Sequence, residues 1–178
     1  MKLNLAKISK NSKIAFESKI DSIKKKRVLE NFSKLLIRNK NKILEENKKD
    51  IKFARKKKIK DNLIKRLEMN EGKFNSIIKS IKEIIKIKDP TNKILERWKR
   101  PNGLIIQKVT VPIGVIAVIY ESRPNVTSDV ASLCFKSGNA VILRGGSEAF
   151  NTNKIIAGLF RKSLKSYGID QNYVQFIE

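Results

Sequence analysis

From Ile113 the chain reads "IGVIAVIY", an apolar run with no polar alternation, as a strand covered on both faces requires. "NVTSDVASLCFKS" follows at helical spacing, Gly138-Asn139 turns the chain, and "AVILR" is a second all-apolar run. "SEAFNTNKIIAGLFRKSLKSYG" then reads as an amphipathic helix closed by Gly168, and "YVQFIE" opens a third strand. Strand, helix, strand, helix and strand joined by short turns predict parallel pairing with right-handed crossovers. An open α/β sheet of this kind places its ligands beyond the carboxyl ends of the strands. Two loops fall there, "YESRPN" at 120–125 and "RGGSEA" at 144–149.

The preceding half has a different period. Residues 3 to about 88 are predicted helical, with Val28, Leu29, Phe32, Leu35, Leu36, Ile43 and Leu44 at three- and four-residue spacing, and Phe74, Ile77, Ile78, Ile81, Ile84 and Ile85 likewise. Asn70 is the expected cap of the latter helix, with Glu71 at the positive end of its dipole. Pro90 in "KDPTN" ends the helical pattern. Two alternating runs around Pro101-Asn102-Gly103 predict a hairpin, with Trp98 packing on that ribbon. The fold class is therefore α/β: a helical N-terminal region (1–90), a β-hairpin (91–112) and the start of a Rossmann-like open parallel sheet (113–178).

Charge and side-chain chemistry exclude several function classes. The formal charge of +23 is concentrated in residues 1–100, where 32 Lys+Arg stand against 12 Asp+Glu. The excess is lysine spread over helices, without the arginine clusters and interleaved aromatics that grip phosphates and stack on bases. A solvated lysine-rich face is favoured over a nucleic-acid surface. The absence of histidine excludes a His-based triad and the usual zinc sites, so no metal is expected. One cysteine, Cys134, permits no intrachain disulfide and fits a reducing compartment. "MKLNLAKISKN" has no continuous apolar core of a secretion signal, and "VPIGVIAVIY" is too short to span a bilayer. The expectation is a soluble, cytoplasmic chain with no membrane contact.

At the second loop, Gly145 and Gly146 would let a ligand approach the backbone, and the following helix would aim its amides at an anion. Arg144 can fork onto a phosphate or ribose oxygens, while Ser147 and Glu148 offer a hydroxyl and a carboxylate. At the first loop, Asn125 is either a simple helix cap or an amide aimed at an oxyanion, and Arg123 either a surface charge or an anion anchor. Cys134 sits mid-helix between Leu133 and Phe135, with no local base or helix N-terminus to activate it. It reads as a buried structural thiol.

In one piece, "VPIGVIAVIYESRPNVTSDVASLCFKSGNAVILRGGSEAFNTN" resembles the gamma-glutamyl phosphate reductases, also called glutamate-5-semialdehyde dehydrogenases, of the aldehyde dehydrogenase superfamily. "KKRVLENFSKLL", "NKKDIKFARKKKIKDNLIKRLEMNEGKF" and "ILERWKRPNGLIIQKVTVPIGV" extend the resemblance along the chain. The resemblance implies an aldehyde dehydrogenase-like cofactor domain and NADPH-dependent reduction of L-glutamyl 5-phosphate to L-glutamate 5-semialdehyde and phosphate, in L-proline biosynthesis. A cysteine thiolate forms a thioester with the acyl group in such enzymes. By resemblance Asn125 matches the oxyanion-binding asparagine, and Arg144 a position that contacts the adenosine ribose, where an arginine suits a 2′-phosphate. Gly145, Gly146, Ser147 and Glu148 would line the same part of the cofactor, and Ser122 and Arg123 would face substrate. It further implies a homo-oligomeric full-length enzyme with glutamate 5-kinase as a candidate partner. Family members are longer, and their nucleophilic cysteine lies beyond the point matching Glu178. The chain thus corresponds to their N-terminal part, without the nucleophile and the catalytic domain. The rival expectation is a non-catalytic truncated relative that acts as an assembly module through its hairpin edge.

Overall fold

The computed structural model describes residues 5–177; the start of the expected helical stretch at residues 3–4 and the final residue 178 lie outside them. The helices are α1 (Leu5–Glu17), α2 (Ser22–Arg38), α3 (Lys40–Lys56), α4 (Asp61–Leu67), α5 (Glu71–Lys86), α6 (Pro124–Lys136) and α7 (Phe150–Ser166). The strands are β1 (Ile94–Lys99), β2 (Ile105–Val109), β3 (Val115–Ile119), β4 (Ala140–Arg144) and β5 (Val174–Phe176).

β3, β4 and β5 form a parallel sheet in sequence order. Right-handed crossovers between consecutive neighbours put both connecting helices on one face, and α6 and α7 pack together there. Phe135 of α6 meets Phe160 of α7 edge-on at 5.7 Å and Tyr173 at 5.5 Å, while Phe32 of α2 reaches Phe160 at 4.6 Å. On the opposite face, Gln175 of β5 donates to the Ile8 carbonyl of α1 at 2.9 Å and to Ser12 Oγ at 3.2 Å. Outside α6 and α7 lies a further layer, α2, α3 and α5. The predicted apolar stripes supply its contacts: Val28, Leu29, Phe32, Leu35 and Leu36 of α2 and Phe74, Ile77, Ile78, Ile81 and Ile84 of α5 are all buried. One core therefore runs from α1 through the sheet to the outer helices.

The expectation of a first strand covered on both faces is corrected. β4 is buried throughout its apolar residues, but β3 leaves Ile119 84% exposed and Ala117 exposed. β3 is the edge of the described sheet, and α1 lies chiefly over β4. Side chains alternate, so Ile116 and Val118 reach the helices while Ala117 and Ile119 face the uncovered side.

Local punctuation follows the sequence closely. Asn70 caps α5 by accepting the Lys73 amide at 2.8 Å. Asp89, before Pro90, accepts from the Thr91 amide and hydroxyl and from buried Lys25 at 3.0 Å. Burial alone would raise the Asp89 carboxyl, but Thr91 and Lys25 outweigh it and hold the group below its ordinary value. β1 and β2 pair antiparallel with Trp98 opposite Ile106, and Gly103 supplies the positive φ of the turn. All six residues of β1 are exposed, so the hairpin stands away from the core.

α3 joins the layers through polar side chains. The stripe it buries is Ile43, Asn47, Asp50 and Ala54. Asp50, 1% exposed, accepts from the Asn151 and Thr152 amides at 3.1 and 2.8 Å, from Asn151 Nδ2 at 2.8 Å and from Thr152 Oγ1 at 2.6 Å. It thus caps α7 from another helix. Asn47 donates to the Leu67 carbonyl at 3.0 Å and accepts the Met69 amide at 2.8 Å, which fixes the link from α4 to α5.

Asp50→Ala strands two amides and a hydroxyl away from water and should cost about 3 kcal/mol in urea unfolding; a loss below about 1 kcal/mol would contradict the capping role. Burial pushes the Cys134 thiol from 9.0 up to about 11 and the Tyr173 hydroxyl, which donates to the Gly138 carbonyl, from 10.0 up to about 12. Both stay protonated in the fold where the unfolded chain ionises. Their contribution is complete below the unfolded values and lost as pH rises through the folded ones. Stability should therefore fall between about pH 9 and 12, less steeply in Tyr173→Phe, and native Cys134 should ignore Ellman's reagent at about pH 8 until the chain unfolds. Immediate labelling of the native protein would contradict this.

Candidate functional site

The two loops lie side by side because β3 and β4 are parallel neighbours with Ile119 opposite Arg144. The Tyr120 amide donates to the Arg144 carbonyl at 3.1 Å, which carries the ladder one residue past the strand. Beneath this join, Tyr120 Oη is 2.7 Å from Thr127 Oγ1, and Thr127 donates to Asn153 Oδ1 at 2.8 Å. Tyr120 belongs to the first loop, Thr127 to α6 and Asn153 to α7, so one hydrogen-bonded chain fixes both corners.

Gly145 is explained by that chain. A Cβ there would fall 2.2 Å from Asn153 Nδ2 and 3.1 Å from the Tyr120 ring. The close approach that its missing side chain permits is to the protein's own residues. At Gly146 the atoms nearest a Cβ would be those of the Glu148 carboxylate, from 2.5 Å. Ser147 Oγ donates to Glu148 Oε2 at 3.3 Å. Arg144 is half-buried, and its Nη1 donates to the Gly145 carbonyl at 3.1 Å. Among the described residues it forms no ion pair, so most of its donor fork is uncommitted.

The expectation that the helix after "RGGSEA" aims free amides at an anion is corrected. A 3-10 turn, Ser147–Ala149, intervenes, and the first amides of α7 are taken by Asp50. A carboxylate of the protein already fills the place a ligand phosphate would need.

The first loop opens onto a cavity of about 610 Å³ between α4, α5 and the start of α6. Arg123, Pro124 and Asn125 line it on one side, and Lys65, Met69 and Ser80 on the other. Pro124 is the first residue of α6, where its fixed φ suits the helix and its missing N–H is no loss. Arg123 is therefore the extended cap residue, and the reading of Asn125 as a helix cap is corrected. Asn125 lies inside the first turn and is exposed, with Nδ2 donating to Asp129 Oδ2 at 3.4 Å. Arg123 is exposed and forms no ion pair among the described residues, whereas Arg66 is paired with Glu121 at 3.0 Å. Lys73 donates to the carbonyls of Lys65 and Glu68, both at 2.6 Å, and closes the end of α4. Ser122 is 3% exposed.

The structure thus brings Arg123 and Asn125 to one cavity, with Arg144 to Glu148 on the neighbouring strand end outside its lining. Lys65, Ser80 and Asp129, ordinary helix positions, and Met69, in the link from α4 to α5, carry no local signal and become a site wall only when α5 packs on α6. Ser80 Oγ donates to Asp129 Oδ1 at 2.8 Å across that interface.

No model of a known protein family matches the chain. Among curated proteins, it is 50% identical over 116 residues to the gamma-glutamyl phosphate reductase of Halothermothrix orenii, covering 65% of this chain and 28% of that protein. It is 46% identical over 159 residues to that of Caldanaerobacter subterraneus subsp. tengcongensis, covering 89% and 38%. The crystal structure of the gamma-glutamyl phosphate reductase from Thermotoga maritima matches 99% of the chain and 43% of its own length, with a TM-score of 0.94 at 37% identity. A probable aldehyde dehydrogenase from Listeria monocytogenes matches in fold alone, with a TM-score of 0.69 at 11% identity. The chain spans less than half the length of these relatives. Over that part, the chain is homologous to the N-terminal region of the gamma-glutamyl phosphate reductases, and its fold is aldehyde dehydrogenase-like.

Proposed function

We propose that the chain forms the N-terminal, cofactor-side part of a gamma-glutamyl phosphate reductase. That enzyme would reduce L-glutamyl 5-phosphate to L-glutamate 5-semialdehyde and phosphate with NADPH, in L-proline biosynthesis. The observation that carries the reading is the meeting of Arg123 and Asn125 in one cavity, at the end of the strand beside the one that finishes in Arg144. Asn125, exposed in the first turn of α6, would donate its amide to the acyl oxygen as negative charge develops there. Arg123, with no carboxylate partner among the described residues, would balance the departing phosphate.

The corner at Arg144 fits the adenosine end of a nicotinamide cofactor. Its uncommitted guanidinium suits a ribose or a 2′-phosphate, and Glu148 suits ribose hydroxyls, with the backbone of Gly145 and Gly146 and the Ser147 hydroxyl alongside. The cofactor's pyrophosphate would not lie on α7, whose first amides Asp50 occupies. When bound, the cofactor supplies hydride. Cys134 takes no part as nucleophile, since it is 9% exposed and its thiol is pushed up to about 11. The attacking thiol would come from outside these 178 residues. A second reading, a non-catalytic assembly module, draws on the hairpin, where Ile94, Leu95 and Trp98 are exposed.

The test is a chimera in which this chain replaces the matching part of the Thermotoga maritima reductase. It should reduce glutamyl phosphate, and Asn125→Ala should lower kcat by about 100- to 1000-fold with little change in KM. Arg144→Met should raise the KM for NADPH roughly tenfold and barely change that for NADH. A folded chimera without activity, or one indifferent to Asn125, would contradict the proposal.

A further inference from the structure

We infer that Asp129 reads the α-ammonium of the substrate, so that the cavity at the start of α6 selects an amino acid over a plain dicarboxylate. The inference rests on the reading of that cavity as the glutamyl site. Asp129 follows Asn125 by four residues, so the two share one face of α6, and both line the cavity. The side-chain ends of Asn125 and Asp129 stand 3.4 Å apart, and each would bond a ligand atom at about 2.9 Å, so a glutamyl group, with three C–C bonds and one C–N bond between its acyl carbon and its nitrogen, can reach both. With the acyl oxygen on the Asn125 amide, the ammonium falls at Asp129.

The carboxylate is held for such a role. Ser80 Oγ donates to Oδ1 at 2.8 Å, and Asn125 Nδ2 approaches Oδ2 at 3.4 Å. A carboxylate accepts about four hydrogen bonds, so lone pairs remain for an ammonium. Lys65, Arg66, Lys73 and Arg123 line the same cavity, yet none of them forms an ion pair with Asp129. A half-buried carboxylate anchored by a neutral serine, in a chain of net charge +23, keeps its charge available to a ligand.

The experiment uses the 178-residue chain, labelled with ¹⁵N and titrated with L-glutamate and separately with glutarate, which lacks the amine. Shifts of the amides of Arg123 and of Asn125 to Asp129 report binding. Asp129 apart, the walls carry Lys65, Arg66, Lys73 and Arg123 against the single carboxylate of Glu68 and alone would favour glutarate, the more negative ligand. L-Glutamate should nonetheless bind roughly tenfold tighter or more. Asp129→Asn should erase that preference without weakening glutarate, its unchanged amide spectrum outside α6 showing that the fold is intact. Ser80→Ala, which keeps the charge, should retain the preference. Equal affinities in the native chain, or a preference surviving in Asp129→Asn, would overturn the role of Asp129 and leave the cavity's assignment standing. No shift with either ligand would overturn both.

Discussion

Two polar side chains of α3 hold the arrangement on which the site depends. Asp50 receives the first amides of α7, and Asn47, one turn earlier, receives the Met69 amide and donates to the Leu67 carbonyl. Through Asp50 the outer helices are locked to a crossover helix of the parallel sheet. Through Asn47 the same helix sets where α5 begins, and hence where Met69 and Ser80 stand in the cavity wall. Both groups are 1% exposed. At that depth an unmade hydrogen bond is costly, so the polar contacts position the layers more narrowly than apolar packing would.

The same carboxylate constrains the chemistry. An α7 start already neutralised by Asp50 does not attract a second anion, which leaves half-buried Arg144, without an ion pair among the described residues, as the cation at this strand end. The other strand end is organised differently. Its cavity has an apolar part from Met69, Ile77 and Pro124 and polar groups from Arg123, Asn125 and Asp129. The chain from Tyr120 through Thr127 to Asn153 ties the two ends together, which is why Gly145 tolerates no side chain. The lysines responsible for the net charge of +23 are largely helix-surface residues, and those near the cavity are partly committed, as Lys73 is to the end of α4.

Periodicity exposed the fold wherever the core is apolar. The stripes of α2 and α5, the Asn70 cap, the break at Pro90 and the parallel segments ending at Ile119 and Arg144 were all legible, because each is set within a few residues of chain. The α3 stripe was not, since Asn47 and Asp50 sit at its core positions and their burial depends on partners about a hundred residues away. Exposure of Ile119 was hidden for a related reason: an apolar strand reads as covered whether or not a neighbour lies beside it. Local pattern also misplaced Asn125, because Pro124 takes the first helical position and leaves the cap to Arg123. Of the site, sequence marked the strand-end loops but not the wall from α4 and α5.

Under the proposed function the two neighbouring strand ends serve one nucleotide, with Arg144 as its anion contact and the start of α7 closed by Asp50. Backbone amide shifts of the 178-residue chain, mapped during NADPH titration, test that arrangement. Shifts are expected at Arg144 to Glu148, along Tyr120 to Arg123 and at Asn125, with the Asn151 and Thr152 amides unmoved. Shifts concentrated at Asn151 and Thr152, or none at either loop under saturating cofactor, would contradict it.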